Sequence, residues 1–180
     1  MNVAILILTN NYYGIYCFRK EVVQALLGRG YDVVISAPKD SKTNFFEEMG
    51  CRVVNTRFNR RGLNPIKDIS LLFQYKRLIN SIKPKVVLTY TIKPNLYGGM
   101  ACSMCHVPQI ANVTGLGTAV ENPGILQKLT IILYRLGLRN TKTVFFQNRA
   151  NMEFCLSRKM VQGKCRLIPG SGVNLQWHTQ

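Results

Sequence analysis

"KVVLTYTIKPNLYGGMACSMC" (85–105) decides how this chain is read. Its opening, "KVVLTY" (85–90), is an apolar run with β-branched and aromatic residues and no clean alternation. That pattern belongs to a strand covered on both faces. Next come Lys93, Pro94 and Asn95, where Pro94 stiffens the exit from the strand and Asn95 is suited to cap a helix. Gly98, Gly99, Ala101, Cys102 and Cys105 then form a helix of small residues that can lie close against a sheet. Strand, loop and helix in that order form the unit of a parallel α/β sheet. A lysine beside a helix start opposes the helix dipole, and an anion bridging the two would relieve the conflict.

The same unit recurs on either side. Strands are expected at 2–8, 31–38, 51–58, 85–90, 108–113, 142–148 and 165–173, and helices at 16–30, 44–50, 65–83, after Asn95, 125–139 and 149–160. Phe18, Val22, Ala25 and Leu26 give the first helix its spacing. The prediction is one doubly wound, Rossmann-like α/β domain. It has a mostly parallel sheet of about seven strands and helices on both faces.

Of the 180 residues, 47% are hydrophobic, enough for one well-buried domain. No N-terminal stretch reads as a secretory signal, and no apolar run is long enough to cross a membrane. The six cysteines include only one CxxC, Cys102 and Cys105, which reads as small packing residues rather than a metal or redox site. Reduced thiols suit a cytoplasm. Lys and Arg number 24 against 8 acids, a net charge of +16. Such a surface calls for an anionic partner: nucleic acid, anionic lipid or a phosphorylated substrate.

Ligands of such sheets bind outside the C-terminal ends of the strands. GxGxxG, a Walker lysine loop, HExxH and GxSxG are all absent. Three loops stand out. Arg57, Arg60 and Arg61 cluster after the third strand and suit phosphate. Thr114, Gly115 and Gly117 follow the fifth, where backbone N–H groups can approach an oxyanion. Thr91, Lys93 and Asn95 follow the fourth. His106 and His178 have no evident partner, and no catalytic base is nominated.

Two helices carry extra apolar residues. In 65–83, Leu71, Leu72, Tyr75, Leu78, Ile79 and Ile82 should face the sheet. Ile66, Ile69 and Phe73, bordered by Lys76 and Arg77, form a second patch suited to an anionic membrane surface. In 125–139, Ile125, Leu126, Leu129, Ile132, Leu133 and Leu136 are expected to form the core face. Ile131, Tyr134 and Leu138 lie elsewhere, beside Lys128 and Arg135.

Five motifs, "RFNRRGLNPIKDI" (57–69), "YTIKPNLYGG" (90–99), "NVTGLGTA" (112–119), "VFFQN" (144–148) and "LIPGSGVN" (167–174), occur in order. Together they resemble the N-terminal domain of family-4 retaining glycosyltransferases, above all bacterial enzymes that extend polyprenyl-diphosphate-linked glycans for capsule, O-antigen or glycoprotein. The resemblance implies half of a two-domain GT-B enzyme without metal or cofactor. Residues 1–173 would be the acceptor domain and 174–180 the start of a link to a C-terminal donor domain, without which the chain would be inactive. It implies a nucleotide-sugar donor, a lipid-linked saccharide acceptor and a place on the cytoplasmic face of the bacterial inner membrane, with no nucleic acid partner.

By position, Lys93, Thr91 and Asn95 would hold an anionic part of a substrate. Arg57, Arg60 and Arg61 would meet the acceptor diphosphate or a headgroup. Thr114, Gly115 and Gly117 would line the cleft, and Gly14 would lie near the donor diphosphate. The alternatives are half of a sugar-nucleotide epimerase, or a basic anion- or RNA-binding module without enzymatic activity.

Overall fold

The computed structural model describes residues 3–59, 65–120 and 123–172, without the side chains of 65–67 and 119. Strands and helices alternate: β1 (Ala4–Leu8), α1 (Tyr12–Gly28), β2 (Asp32–Ala37), α2 (Thr43–Glu48), β3 (Arg52–Asn55), α3 (Pro65–Ile82) and β4 (Val86–Tyr90). After them come α4 (Gly99–Cys105), β5 (Gln109–Val113), α5 (Ile125–Leu138), β6 (Thr141–Phe146), α6 (Arg149–Ser157) and β7 (Lys164–Leu167). The seven strands form one sheet in the order β3-β2-β1-β4-β5-β6-β7. Every pairing is parallel. The expected doubly wound fold is present, and "mostly parallel" becomes wholly parallel.

Side chains alternate across the central strands, so the sheet separates two cores. Ile7, Val33 and Ile35 pack under α1 and α2 with Tyr12, Ile15, Val23 and Phe46. Leu6, Leu8, Val34 and Val87 pack with side chains of α3, α4, α5 and α6. The strand order reverses between β1 and β4, where a doubly wound sheet opens a crevice at its C-terminal edge.

Three local expectations are corrected. Helix α1 begins at Tyr12, ahead of the expected start, and buries Tyr12, Ile15, Arg19 and Val23. Phe18 and Val22 of the expected stripe face solvent. The connection after β4 is a π-helical turn, Pro94–Gly98, running directly into α4. Asn95 lies inside that turn and caps nothing. Its side-chain amide donates to the Asn112 carbonyl at 3.0 Å, and its side-chain oxygen accepts from Thr89 Oγ1 at 2.7 Å.

The third correction concerns α5. Its expected core residues Ile125, Leu126, Ile132 and Leu136 are exposed, Ile125 by 87%, and of the predicted face only Leu133 is fully buried. The buried residues are Gln127, Thr130, Ile131, Leu133, Tyr134, Gly137 and Leu138. The cause is steric. Helix α5 lies against the backbone of the π-helical turn, so close that a Cβ on Gly137 would stand 2.6 Å from the Leu96 Cα. Only the face with Gly137 and Thr130 is small enough for that approach, and the widest apolar stripe turns outward.

Helix α3 follows its prediction: Leu71, Tyr75 and Ile79 are buried, and Leu72, Leu78 and Ile82 pack beside them. Ile69 and Phe73 are about half exposed, Lys76 is half-buried and Arg77 exposed. The Ile66 side chain lies outside the described residues.

Candidate functional site

A pocket of about 500 Å³ lies at the crevice. Thr9 and Asn10 follow β1, Tyr90 ends β4 and Thr91 follows it, Thr114 follows β5, and Gln147 follows β6. Helix α1 closes one side with Gly14, Ile15, Phe18 and Arg19, and Ser171 closes another.

Arg19 is the unusual member. It is 8% exposed, yet no carboxylate contacts it among the described residues. Its guanidinium donates to the Phe18 carbonyl (2.7 Å), the Ser171 carbonyl (3.2 Å) and Ser171 Oγ (3.2 Å). It also lies over the Tyr90 ring, 5.5 Å from the centroid. Burial pushes the Tyr90 phenol up and Arg19 pulls it part of the way back. A buried guanidinium without a counter-charge is costly, so this pocket favours an anionic guest. Thr91 adds to the strain. It holds φ at 71°, rare for a non-glycine residue, and its buried hydroxyl lacks a hydrogen-bond partner among the described residues.

The N-terminus of α1 is already satisfied. Asp40 Oδ2 accepts from the Tyr12 and Tyr13 N–H groups at 2.8 and 3.0 Å. The Gly14 N–H donates to Asn11 Oδ1. Gly14 therefore borders the pocket while its N–H is engaged by the chain itself.

The predicted site residues divide. Gly14, Thr91 and Thr114 line the pocket; Lys93, Asn95, Gly115 and Gly117 do not. Lys93 is 5% exposed, and its Nζ lies 2.7 Å from Oδ1 of Asp68, itself 4% exposed. The anion that the sequence asked for beside Lys93 is supplied by α3, 25 residues earlier. Gly117 adopts φ 80°, and a Cβ there would meet Ile92 Cδ1 at 2.7 Å, so it serves the turn. Arg57 is exposed beyond β3, three strand spacings (~14 Å) from β4. Arg60 and Arg61 lie outside the described residues. Cys102 and Cys105 are free thiols. Burial pushes Cys102 up to about 12 and raises Cys105. Both stay protonated and poorly nucleophilic near neutrality, in keeping with packing.

The family model described as "Glycosyl transferase 4-like" matches residues 3–148. The chain belongs to this glycosyl transferase 4-like family. No curated protein matches it. Among solved structures, sucrose-phosphate synthase from Thermosynechococcus elongatus is similar at TM-score 0.68 and 15% identity, over 97% of this chain and 49% of that one. HepE from Anabaena, solved with UDP and glucose, is similar at TM-score 0.65 and 12% identity, over 97% and 46%. UDP-GlcNAc 2-epimerase from Methanocaldococcus jannaschii reaches TM-score 0.60 and 17% identity, over 93% and 45%. At these identities the likeness is one of fold: a Rossmann-like α/β unit of the GT-B glycosyltransferase kind. The glycosyl transferase 4-like chain spans slightly under half the length of each.

Arg19 carries no motif that marks it in the sequence. Its signal is register: Tyr12, Ile15, Arg19 and Val23 share one α1 stripe, and a cation there is buried with the apolar residues. In the glycosyl transferase 4-like chain it tethers Ser171, which also accepts from Gln147 Nε2 at 2.6 Å. Ser171 sits between Gly170 and Gly172, both left-handed, at φ 67° and 70°. Arg19→Met removes both contacts to Ser171. Amide exchange at 170–172 should then be about tenfold faster or more, from roughly 1 kcal/mol per hydrogen bond. Unchanged exchange there would show that Gln147 alone holds the segment.

Proposed function

We propose that the chain is the N-terminal, acceptor-side half of a glycosyltransferase. It would act with a C-terminal donor half, beginning beyond residue 173, to move a sugar from a nucleotide-sugar onto a lipid-linked saccharide. The work would take place on the anionic cytoplasmic face of a bacterial membrane, in capsule, O-antigen or glycoprotein glycan assembly. The family match and the GT-B fold support the transferase class. HepE, of the same fold, was solved with UDP and glucose, and the pocket that holds Arg19 is suited to such a phosphate-bearing guest.

The observation that carries the lipid-linked acceptor is the outward stripe of α5. Ile125, Leu126, Ile132 and Leu136 are exposed, with Lys128 and Arg135 beside them. Helix α5 follows the 114–124 loop, so its first turn stands at the same end of the sheet as the pocket. A lipid-anchored acceptor lying on this stripe would bring its headgroup towards the crevice. Helix α3 packs on the same core as α5, and its exposed Ile69, Phe73 and Arg77 would add a second contact. No helix among the described residues is long and apolar enough to cross a membrane, so contact would be at the interface.

Flotation with phosphatidylglycerol-containing and purely phosphatidylcholine vesicles tests this. Binding should require the anionic lipid. Ile132→Glu with Leu136→Glu should weaken it about tenfold or more, since each side chain contributes on the order of 1 kcal/mol at the interface. Equal recovery with neutral vesicles, or no effect of the pair, would remove the membrane from the proposal. The likeness to UDP-GlcNAc 2-epimerase favours a second reading, half of an epimerase. Interconversion of a nucleotide-sugar by the longer protein without acceptor would replace the transferase reading with that one.

A further inference from the structure

At the other edge of the sheet, beneath the N-terminal ends of β5, β6 and β7, lies an open basin of about 870 Å³. Arg139 from the end of α5, Lys142 from β6 and Lys164 from β7 line it, with His106, Asn140 and Ser103. No carboxylate is among its lining residues. Arg139, Lys142 and Lys164 make no side-chain hydrogen bond or ion pair among the described residues. The local lack of counter-charge follows from the distribution of the eight acids. Glu21, Asp32, Asp40, Glu47 and Glu48 lie between α1 and α2, Asp68 is buried against Lys93, and Glu153 is on α6. Glu121 is outside the described residues.

Arg139 also complements the C-terminal dipole of α5, which accounts for one cation and leaves two unexplained. Neutral donors accompany the charges. The Asn140 amide donates to Ser103 Oγ at 3.1 Å, which orders two polar groups at the wall. His106 caps the end of α4 at φ 56° and lines the basin. A concavity with clustered cations, polar donors and no acid is matched by a compact group with two or more negative charges and several acceptor oxygens. A long single-charged carboxylate would leave most of those donors unused.

The geometry points to this basin as a binding site for a phosphomonoester or diphosphate group, separate from the crevice at the sheet's opposite edge. A soluble ligand and a lipid headgroup at the membrane both carry this chemistry, and the test below separates them. The site stands independently of the glycosyltransferase reading, because none of its residues borders the crevice pocket.

The test is an NMR titration of the 180-residue chain with pyrophosphate at constant ionic strength. Amides of His106, 139–142 and 163–164 should shift saturably. Lys142→Gln with Lys164→Gln should weaken binding about tenfold or more, from the loss of two charge-assisted contacts. Both lysines are exposed, so the remaining spectrum should be unchanged. Arg29→Gln with Lys39→Gln, exposed cations elsewhere, should weaken it by less than about twofold, the scale of screened attraction. Shifts that fail to saturate, or equal weakening by both pairs, would show a diffuse cationic surface and overturn the site. Vesicles of phosphatidic acid in phosphatidylcholine separate the sources. Displacement of the chain from them by pyrophosphate assigns the site to a headgroup. Pyrophosphate binding unaffected by the vesicles assigns it to a soluble ligand.

Discussion

Lys93→Met should lower folding stability by about 3–5 kcal/mol, because it takes the Lys93 charge away from a buried carboxylate. Lys93 and Asp68 are each about 95% removed from solvent and 2.7 Å apart. Asp68 lies in the first turn of α3 and Lys93 immediately before the π-helical turn. The pair therefore joins the helix that precedes β4 to the connection that follows it. At roughly 2–4 °C per kcal/mol for a domain of this size, the melting temperature should fall by about 6–20 °C.

Lys93→Met with Asp68→Leu separates the pair's worth from the cost of a buried carboxylate that has lost the Lys93 charge. Replacing both partners of a buried pair by apolar side chains is often neutral, so the double variant should recover most of the loss. Urea unfolding of the three proteins reads both effects. A single variant as stable as the parent would mean that Asp68 does not depend on Lys93, and would return the lysine to the list of groups open to a bound anion.

Gly99→Ala should be at least as damaging. A Cβ on Gly99 would stand 1.8 Å from the Gly137 carbonyl oxygen and 2.8 Å from Gln109 Oε1. A Cβ on Gly137 would stand 2.6 Å from the Leu96 Cα and 2.7 Å from its carbonyl oxygen. The obstacles are mainly backbone, so no rotamer change relieves them. Overpacking that can relax costs about 1–3 kcal/mol, and Gly99→Ala should exceed that range, with Gly137→Ala close behind. Gly28 is the control. It is helical, and a Cβ there meets nothing within 4 Å. Gly28→Ala should be neutral or stabilising by up to about 1 kcal/mol. Soluble yield and urea midpoints check all three. A Gly99→Ala protein with the parent's midpoint would mean that α4 and α5 are not in this contact.

Much of the fold was legible because its signals are local. The run "KVVLTY" has the composition of a doubly covered strand wherever it sits, and it is the fourth of seven. Gly14, Thr91 and Thr114 could be placed at the crevice because parallel strands deliver their following loops to one edge. The same reasoning could not place Lys93 or Asn95. Their partners, Asp68 and Asn112, come from other elements, and those contacts hold both side chains inside the protein. Arg19 was hidden for the opposite reason. A charged residue in a helix reads as solvent-facing until the start of the helix is known, and α1 starts ahead of the expected position.

Helix α5 marks the boundary most clearly. From its sequence alone one can say that it is a helix, that it is apolar enough for two faces, and that cations border it. Together with the order of strands, the five motifs and the excess of positive charge, that fixes the α/β class and points to the family. Which face of α5 goes inward was decided by the fold. Hydrophobic periodicity measures how apolar a stripe is, whereas burial against a neighbouring backbone selects the stripe that is small enough to fit. The outward turn of Ile125, Leu126, Ile132 and Leu136, and the closure of Lys93 onto Asp68, are outcomes of contacts between distant segments. Only the packed chain brings those segments together.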